Sequence, residues 1–371
     1  MIADTTRHLY IHVPFCGRRC SYCDFSIAVR REVPATSYVE SIIREVGVRT
    51  NSRVELETIY LGGGTPSKLP PDSVQRLVTE LSARSLTLSP TGEATLEANP
   101  EDITPEAAET WLQAGFNRLS VGVQTFSPGV LEWMHRTHAV EQSEAGVRAA
   151  RSAGFENISV DLIYALPDRL GRDWGADVDR AIALEPDHLS VYGLTVEPRT
   201  PLGKWTARGS ETPESDDRAA DQFLEAHERL AAAGYKHYEV SSYARPGRRS
   251  RHNSAYWRRV PYLGLGPSAH SYDGVRRRWN TAAYAEWSAL LDQGADPLGG
   301  TEELDATHVD AETLYLDLRT DTGAALTGRR LEAAVSWASH GWAMITDRVR
   351  LTPEGWLRLD ALVAELMSSA P

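Results

Sequence analysis

Residues Tyr10 to Phe25 read YIHVPFCGRRCSYCDF, and this stretch holds Cys16, Cys20 and Cys23, the only three cysteines among 371 residues. Thiols packed into eight consecutive positions imply one shared ligand site whose further ligand is not protein sulfur. Thiolates select soft metals, zinc or iron–sulfur clusters. Structural zinc takes four closed ligands, usually with a second cysteine or histidine pair downstream, and this chain has no second cysteine pair. Three cysteines on a four-iron cubane would instead leave one iron open to an exogenous ligand. The iron–sulfur reading is preferred; a zinc knot, or thiols adjacent by chance, are its alternatives. His12 stands nearby in an apolar run, where a hydrogen-bonded core histidine is an equally good reading.

Outward from this loop, short β-rich runs alternate with amphipathic helical stretches, the pattern of a parallel sheet built from βα units. Strands are expected at 8–13, 58–61, 94–98, 118–123, 158–164 and 188–194, with helices at 37–50, 72–83, 105–114, 143–153 and 174–183 between them. Two of these helices run into Ala-Gly-Phe (114–116 and 153–155), where glycine supplies a left-handed C′ residue. Six units predict an open or partial barrel. Catalytic groups in βα barrels gather at the carboxyl ends of the strands. Here those ends carry the three-cysteine loop, Gly62-Gly63-Gly64-Thr65-Pro66, Glu97-Ala98-Asn99-Pro100, Gln124, Asp161 and Thr195. Any one of these could be a turn or a cap; their recurrence at one end of successive units points to a site.

Cys-x-x-x-Cys-x-x-Cys after a strand ending in His-x-Pro-Phe resembles the cluster loop of the radical S-adenosylmethionine (SAM) superfamily, within it the branch of oxygen-independent coproporphyrinogen III oxidase and the HemW-type haem chaperones. The resemblance implies an α/β fold, a partial (β/α)6 TIM-like barrel, with a smaller α+β C-terminal domain ending in a winged-helix-like segment. It implies a 4Fe-4S cluster on Cys16, Cys20 and Cys23, whose open iron chelates SAM and can split it to a 5′-deoxyadenosyl radical. Carried over by position, the SAM contacts fall on Tyr10, Tyr22, Gly63, Gly64, Thr65, Glu97, Gln124, Arg136, Asp161 and Thr195. The residue types suit SAM chemically, with carboxylates for ribose hydroxyls or an ammonium, Arg136 for a carboxylate, and tyrosine faces for adenine or a cation. His138 is equally a member of a solvated helix edge.

Two features place the chain within the branch. The oxidase has a further cysteine two residues after the third, whereas this chain has Phe25. Arg251 to Trp257 reads RHNSAYW and matches the His-Asn-x-x-Tyr-Trp motif of the chaperones, followed by YLGLG at 262–266 and Ala269-His270. The resemblance therefore implies haem as a further cofactor, with His252 as a candidate iron ligand, an acceptor protein for that haem and a reductant for the cluster. The alternative reading is that His252 and Asn253 tie a loop to the barrel, with Tyr256 and Trp257 as its plug. Relatives often carry a cysteine two residues before this histidine; here Ser250 occupies the position. A radical SAM decarboxylase, methylase or cyclopropanase of the same branch is the enzymatic alternative.

Composition bounds the rest. With 42% hydrophobic and 24% charged residues the chain can bury a large core, and two domains, 1–235 and 236–371, are expected. A net charge of −12 argues against general attraction to nucleic acid or anionic membrane. No apolar run approaches the roughly 20 residues of a membrane span, and residues 1–7 show no secretory signal, so the chain reads as cytosolic. From Thr281 onward, helices, a short hairpin and a last helix are expected, and their mixed charge suits a lid or a docking surface better than a DNA-binding face.

Overall fold

A computed structural model describes residues 6–50 and 53–368. Its centre is a run of six parallel strands in sequence order: β1 (His8–Val13), β2 (Val54–Gly63), β3 (Leu86–Ala98), β4 (Arg118–Gln124), β5 (Ile158–Tyr164) and β6 (His188–Gly193). The predicted strands all fall on these elements, and the structure extends β2 and β3 toward their N-termini. Each strand alternates. Leu9, Ile11 and Val13 of β1, or Leu119, Val121 and Val123 of β4, are fully buried and join the core beneath the helices. The intervening positions turn to the other face of the sheet, as a two-residue period requires.

Helices cover the apolar face. Ala35–Arg49 buries Tyr38, Val39, Ile42, Ile43 and Val46 along one stripe, each contributing about 1.5–3 kcal/mol by burial. The helices Pro105–Gln113 and Val140–Ala153 stop at Gly115 and Gly154, whose φ angles of 98° and 112° are the left-handed values expected at a C′ glycine.

Strands from beyond residue 235 complete both edges of the same sheet. On one side β7 (Lys236–Glu239) pairs with β8 (Ser242–Ala244), which pairs antiparallel with β6. On the other, β9 (Tyr262–Leu265) lies parallel to β1 and is followed antiparallel by β10 (His270–Tyr272), β11 (Arg276–Asn280) and β12 (Leu298–Glu303). The result is a 12-stranded α/β sheet whose parallel centre is the expected partial barrel. A second core gathers Leu314, Leu318, Trp337, Val349, Trp356 and Leu362 with Phe223. It is built from helices Ala306–Leu318 and Gly328–Ser339, the hairpin Ala343–Ile345/Val349–Leu351 and helix Leu359–Ser368, the winged-helix-like order expected. Among the described residues no helix is long and apolar enough to cross a membrane.

Candidate cluster and cofactor site

The cysteine loop leaves β1 through Phe15–Cys16, which pairs in parallel with Ala28–Val29. Backbone bonds pin it from both sides: Ser21 N–H donates to Met134 C=O at 3.0 Å, and Leu202 N–H donates to Ser21 C=O at 2.8 Å. Cys16, Cys20 and Cys23 all line one cavity of about 470 Å3 at the carboxyl end of the parallel strands. The thiols are free. Burial pushes Cys16 up and Cys23 up to about 11, so metal binding must displace protons. Donors already aim at sulfur: Thr65 Oγ1 lies 3.4 Å from Cys16 Sγ and an Arg136 guanidinium nitrogen 3.7 Å from Cys20 Sγ. Among the described residues no three His, Cys, Asp or Glu side chains are grouped tightly enough for one metal ion. Three thiols lining one cavity, with hydrogen bonds toward two of them, fit a cluster held by three cysteines with one corner open.

The other strand ends meet the thiols here. Gly63, Gly64 and Thr65 form one wall. Gly63 has φ 110°, and a Cβ on Gly64 would lie 2.8 Å from the Pro14 carbonyl carbon, so these glycines let β2 pass against the cysteine loop. Glu97 Oε1 accepts from the Tyr60 hydroxyl at 2.7 Å and Oε2 from Gly63 N–H at 3.1 Å. Burial pushes Glu97 up to about 7 against those hydrogen bonds, with Asp161 adding repulsion. Asp161 is likewise raised by burial and accepts from Ser120 Oγ at 3.1 Å. Gln124 sits at φ 67°, a left-handed value uncommon for a non-glycine residue and found preferentially at functional sites. Arg136 donates to Asn99 Oδ1 at 2.7 Å and Gly122 C=O at 3.0 Å. Tyr22 and Thr195 also line the cavity.

Two expected positions lie elsewhere. Tyr10 packs behind the wall: its ring stacks on Tyr60 at 6.1 Å and its hydroxyl meets His12 Nδ1 at 3.0 Å. His252, the candidate haem-iron ligand, lies in the core. The residue is 1% exposed, its Nδ1 lies 2.6 Å from Thr58 Oγ1, and its Nε2 lies 2.8 Å from the Tyr256 hydroxyl. Burial, reinforced by His8 and Arg118, lowers its pKa to about 3. Both ring nitrogens are engaged within the core. Ser250 caps helix Arg251–Trp257 by accepting from Asn253 N–H, while Glu93 accepts from the N–H groups of Arg251 and His252. His138 is buried outside the cavity, lowered to about 4 by burial and Arg136.

The sequence reading missed further residues that line the same cavity: Tyr60, Arg118, Ser120, Ser190 and Tyr192, joined by Asn253 from the motif helix. Arg118 is 1% exposed, and its Nε has no hydrogen-bond partner among the described residues. The signal was present. In RLSVGVQ and HLSVYG the alternating residues Leu119, Val121 and Val123, and Leu189 and Val191, are fully or almost fully buried, which sends Arg118, Ser120, Gly122 and Gln124, and Ser190 and Tyr192, to the inner face.

A barrel with three thiols and acidic strand ends at its mouth is the arrangement of the radical SAM superfamily, whose profile matches residues 10–181. The chain belongs to the heme chaperone HemW family. It is 36% identical over 352 residues to "Heme chaperone HemW" of Synechocystis, covering 92% of this chain and 82% of that protein. It is 34% identical to the Mycobacterium tuberculosis protein of that name, with 97% and 94% covered, and 40% identical to that of Escherichia coli, with 71% and 69% covered. In fold it is similar to the radical SAM enzyme coproporphyrinogen III oxidase (HemN) of Escherichia coli, at a TM-score of 0.83 and 22% identity over 99% of this chain and 92% of that one.

Proposed function

We propose that this chain carries haem to an acceptor protein and that it holds a 4Fe-4S cluster on Cys16, Cys20 and Cys23, with SAM beside it. The observation that carries the reading is the convergence of three thiols, the Gly63–Thr65 wall, Glu97, Asp161 and Arg136 on one cavity, in a chain whose relatives are named haem chaperones. A bound cluster with one open iron supplies a chelation point for SAM and an electron for its sulfonium. The protein's own residues do the rest. Arg136 and Thr65 stabilise charge on sulfur. Glu97 and Asp161 offer acceptors for ribose hydroxyls or an ammonium, and Tyr22 closes the wall beside the cysteines. A one-electron donor and a haem-accepting protein complete the cycle; Phe25 in the place of the oxidase's further cysteine favours transport over porphyrin decarboxylation.

The test is an anaerobic titration of the cluster-reconstituted full chain with haem, followed at the Soret band, and then transfer to an apo haem protein. Saturable one-to-one binding and transfer without porphyrin modification are expected. SAM cleavage in proportion to an altered porphyrin would establish an enzyme instead.

A further inference from the structure

A second cavity, of about 420 Å3, lies behind the partition formed by Tyr10 and the motif helix Arg251–Trp257, and the site described above makes no use of it. Its walls are aromatic. Tyr256 and Tyr262 meet edge-to-face at 4.7 Å, and the Tyr262 and Tyr272 rings are 6.4 Å apart. The Trp257 indole N–H is shut off from solvent and has no partner among the described residues. Arg259 and Arg277 both reach Glu312, Arg259 at 2.7 Å, and Arg277 also lies 3.7 Å from Glu302; of these carboxylates only Glu312 lines the cavity, beside both guanidiniums.

One imidazole in this cavity is free. His12 has both nitrogens engaged, by the Tyr10 hydroxyl at 3.0 Å and Ser26 C=O at 2.9 Å. His270 is exposed and stacks on Trp279 at 5.6 Å, and neither of its ring nitrogens has a hydrogen-bond partner among the described residues.

Flat aromatic walls, two guanidiniums and one uncommitted imidazole match a single class of ligand: a planar apolar macrocycle with carboxylates at its edge and an iron at its centre. We propose that this cavity is the haem site, with His270 as the iron ligand and Arg259 and Arg277 as partners for the propionates. The proposal rests on the haem-carrier reading above and transfers the ligand role from His252, which the core consumes.

The site also stands next to the cluster cavity. Helix Arg251–Trp257 presents Asn253 to the first cavity and Tyr256 and Trp257 to the second. The rings of Tyr60, His252 and Tyr256 follow one another at 5.0 Å each, so one aromatic column separates the two. Haem held here is therefore one layer of side chains from the residues that line the first cavity.

The experiment is the anaerobic haem titration of the cluster-reconstituted full chain as wild type, His270→Ala and Leu316→Trp. Leu316 lines the cavity from helix Ala306–Leu318, and tryptophan there adds bulk to that wall while His270 is kept. Circular dichroism melts matching wild type establish that both variants fold. Wild type is expected to saturate at one haem. Both variants should lose about tenfold or more in affinity, and His270→Ala should shift the Soret band while binding iron-free protoporphyrin as wild type does. Wild-type affinity and an unshifted band in both variants would overturn the site while leaving the haem-carrier reading intact. Absence of saturable haem binding by wild type would overturn both.

Discussion

The two cavities of this molecule stand on opposite sides of one aromatic partition, and they are assembled in different ways. The first is lined by strand ends that follow one another along the parallel sheet, each strand offering its inward residues in turn. The second joins β1 to residues 256–277 and to Glu312 and Leu316 of a helix some 300 positions later in the chain. All three thiols and four carboxylates line the first, whereas four tyrosines and two arginines make up half of the lining of the second. A repeated βα unit builds a polar pocket by repetition, whereas the edge where a C-terminal strand docks on β1 builds a flat, aromatic one.

The largest effect that could break this division comes from the cysteines. Cys20→Ser should abolish the cluster's visible absorbance and its bound iron on reconstitution, because serine is a poor ligand for this soft metal site. Haem affinity should stay within about threefold of wild type, since no cysteine borders the second cavity. Concerted loss of both cofactors, read by iron analysis and haem titration, would mean that the two pockets are one site. His252→Ala comes next. It leaves the Tyr256 hydroxyl without its partner, leaves Thr58 only its 2.9 Å contact with His8 and opens a hole in the column, for a loss of roughly 4 kcal/mol in chemical denaturation. In protein that remains folded, haem affinity should follow His270 and not His252. A haem-affinity loss at His252 with unchanged stability would reverse that assignment.

The contrast also marks how far the sequence could be read. Strand identities, the cysteine loop and the polar strand ends were legible because each depends on local spacing: period-two alternation, motif intervals and a glycine after a helix. Arg118 and Tyr192 were readable from the same alternation and were overlooked beside the louder strand-end motifs. The fate of His252 was not readable. Its two partners are Thr58, 194 positions away, and Tyr256 on its own helix, and nothing local distinguishes a bonded imidazole from a free one. His270 became conspicuous only once β9 was seen to pair with β1, which brings residues 262–265 beside 8–11. Pairing across that separation leaves no mark in either segment.

A pH measurement sharpens the first cavity on its own. Glu97 is raised by burial from its ordinary 4.5 to about 7, and Glu45, on the buried side of helix Ala35–Arg49 and held by Asn280 and Trp287, is raised to about 7 by the same cause. A carboxyl with a raised folded-state pKa adds stability in its protonated form. That contribution is complete below about 4.5 and is lost as pH climbs to about 7. Glu97→Gln should therefore remove part of the stability decline across this window, on the order of 2–3 kcal/mol, and leave the share due to Glu45. Denaturation curves at pH 5 and pH 7.5 read the difference. An unchanged slope would mean that Glu97 is ionised throughout.

The smallest effect tests the partition itself. Tyr60→Phe removes the 2.7 Å hydrogen bond to Glu97, which is the strongest influence holding that carboxyl down, but retains the ring that stacks on Tyr10 and His252. Glu97 should rise further, extending the pH window of the previous measurement upward, and stability above neutral pH should fall by about 1 kcal/mol. Haem affinity should move by less than about twofold, because ring packing between the cavities survives. A change of about tenfold would show that the hydroxyl's contact with Glu97, and not the stacked rings, links the first cavity to the second.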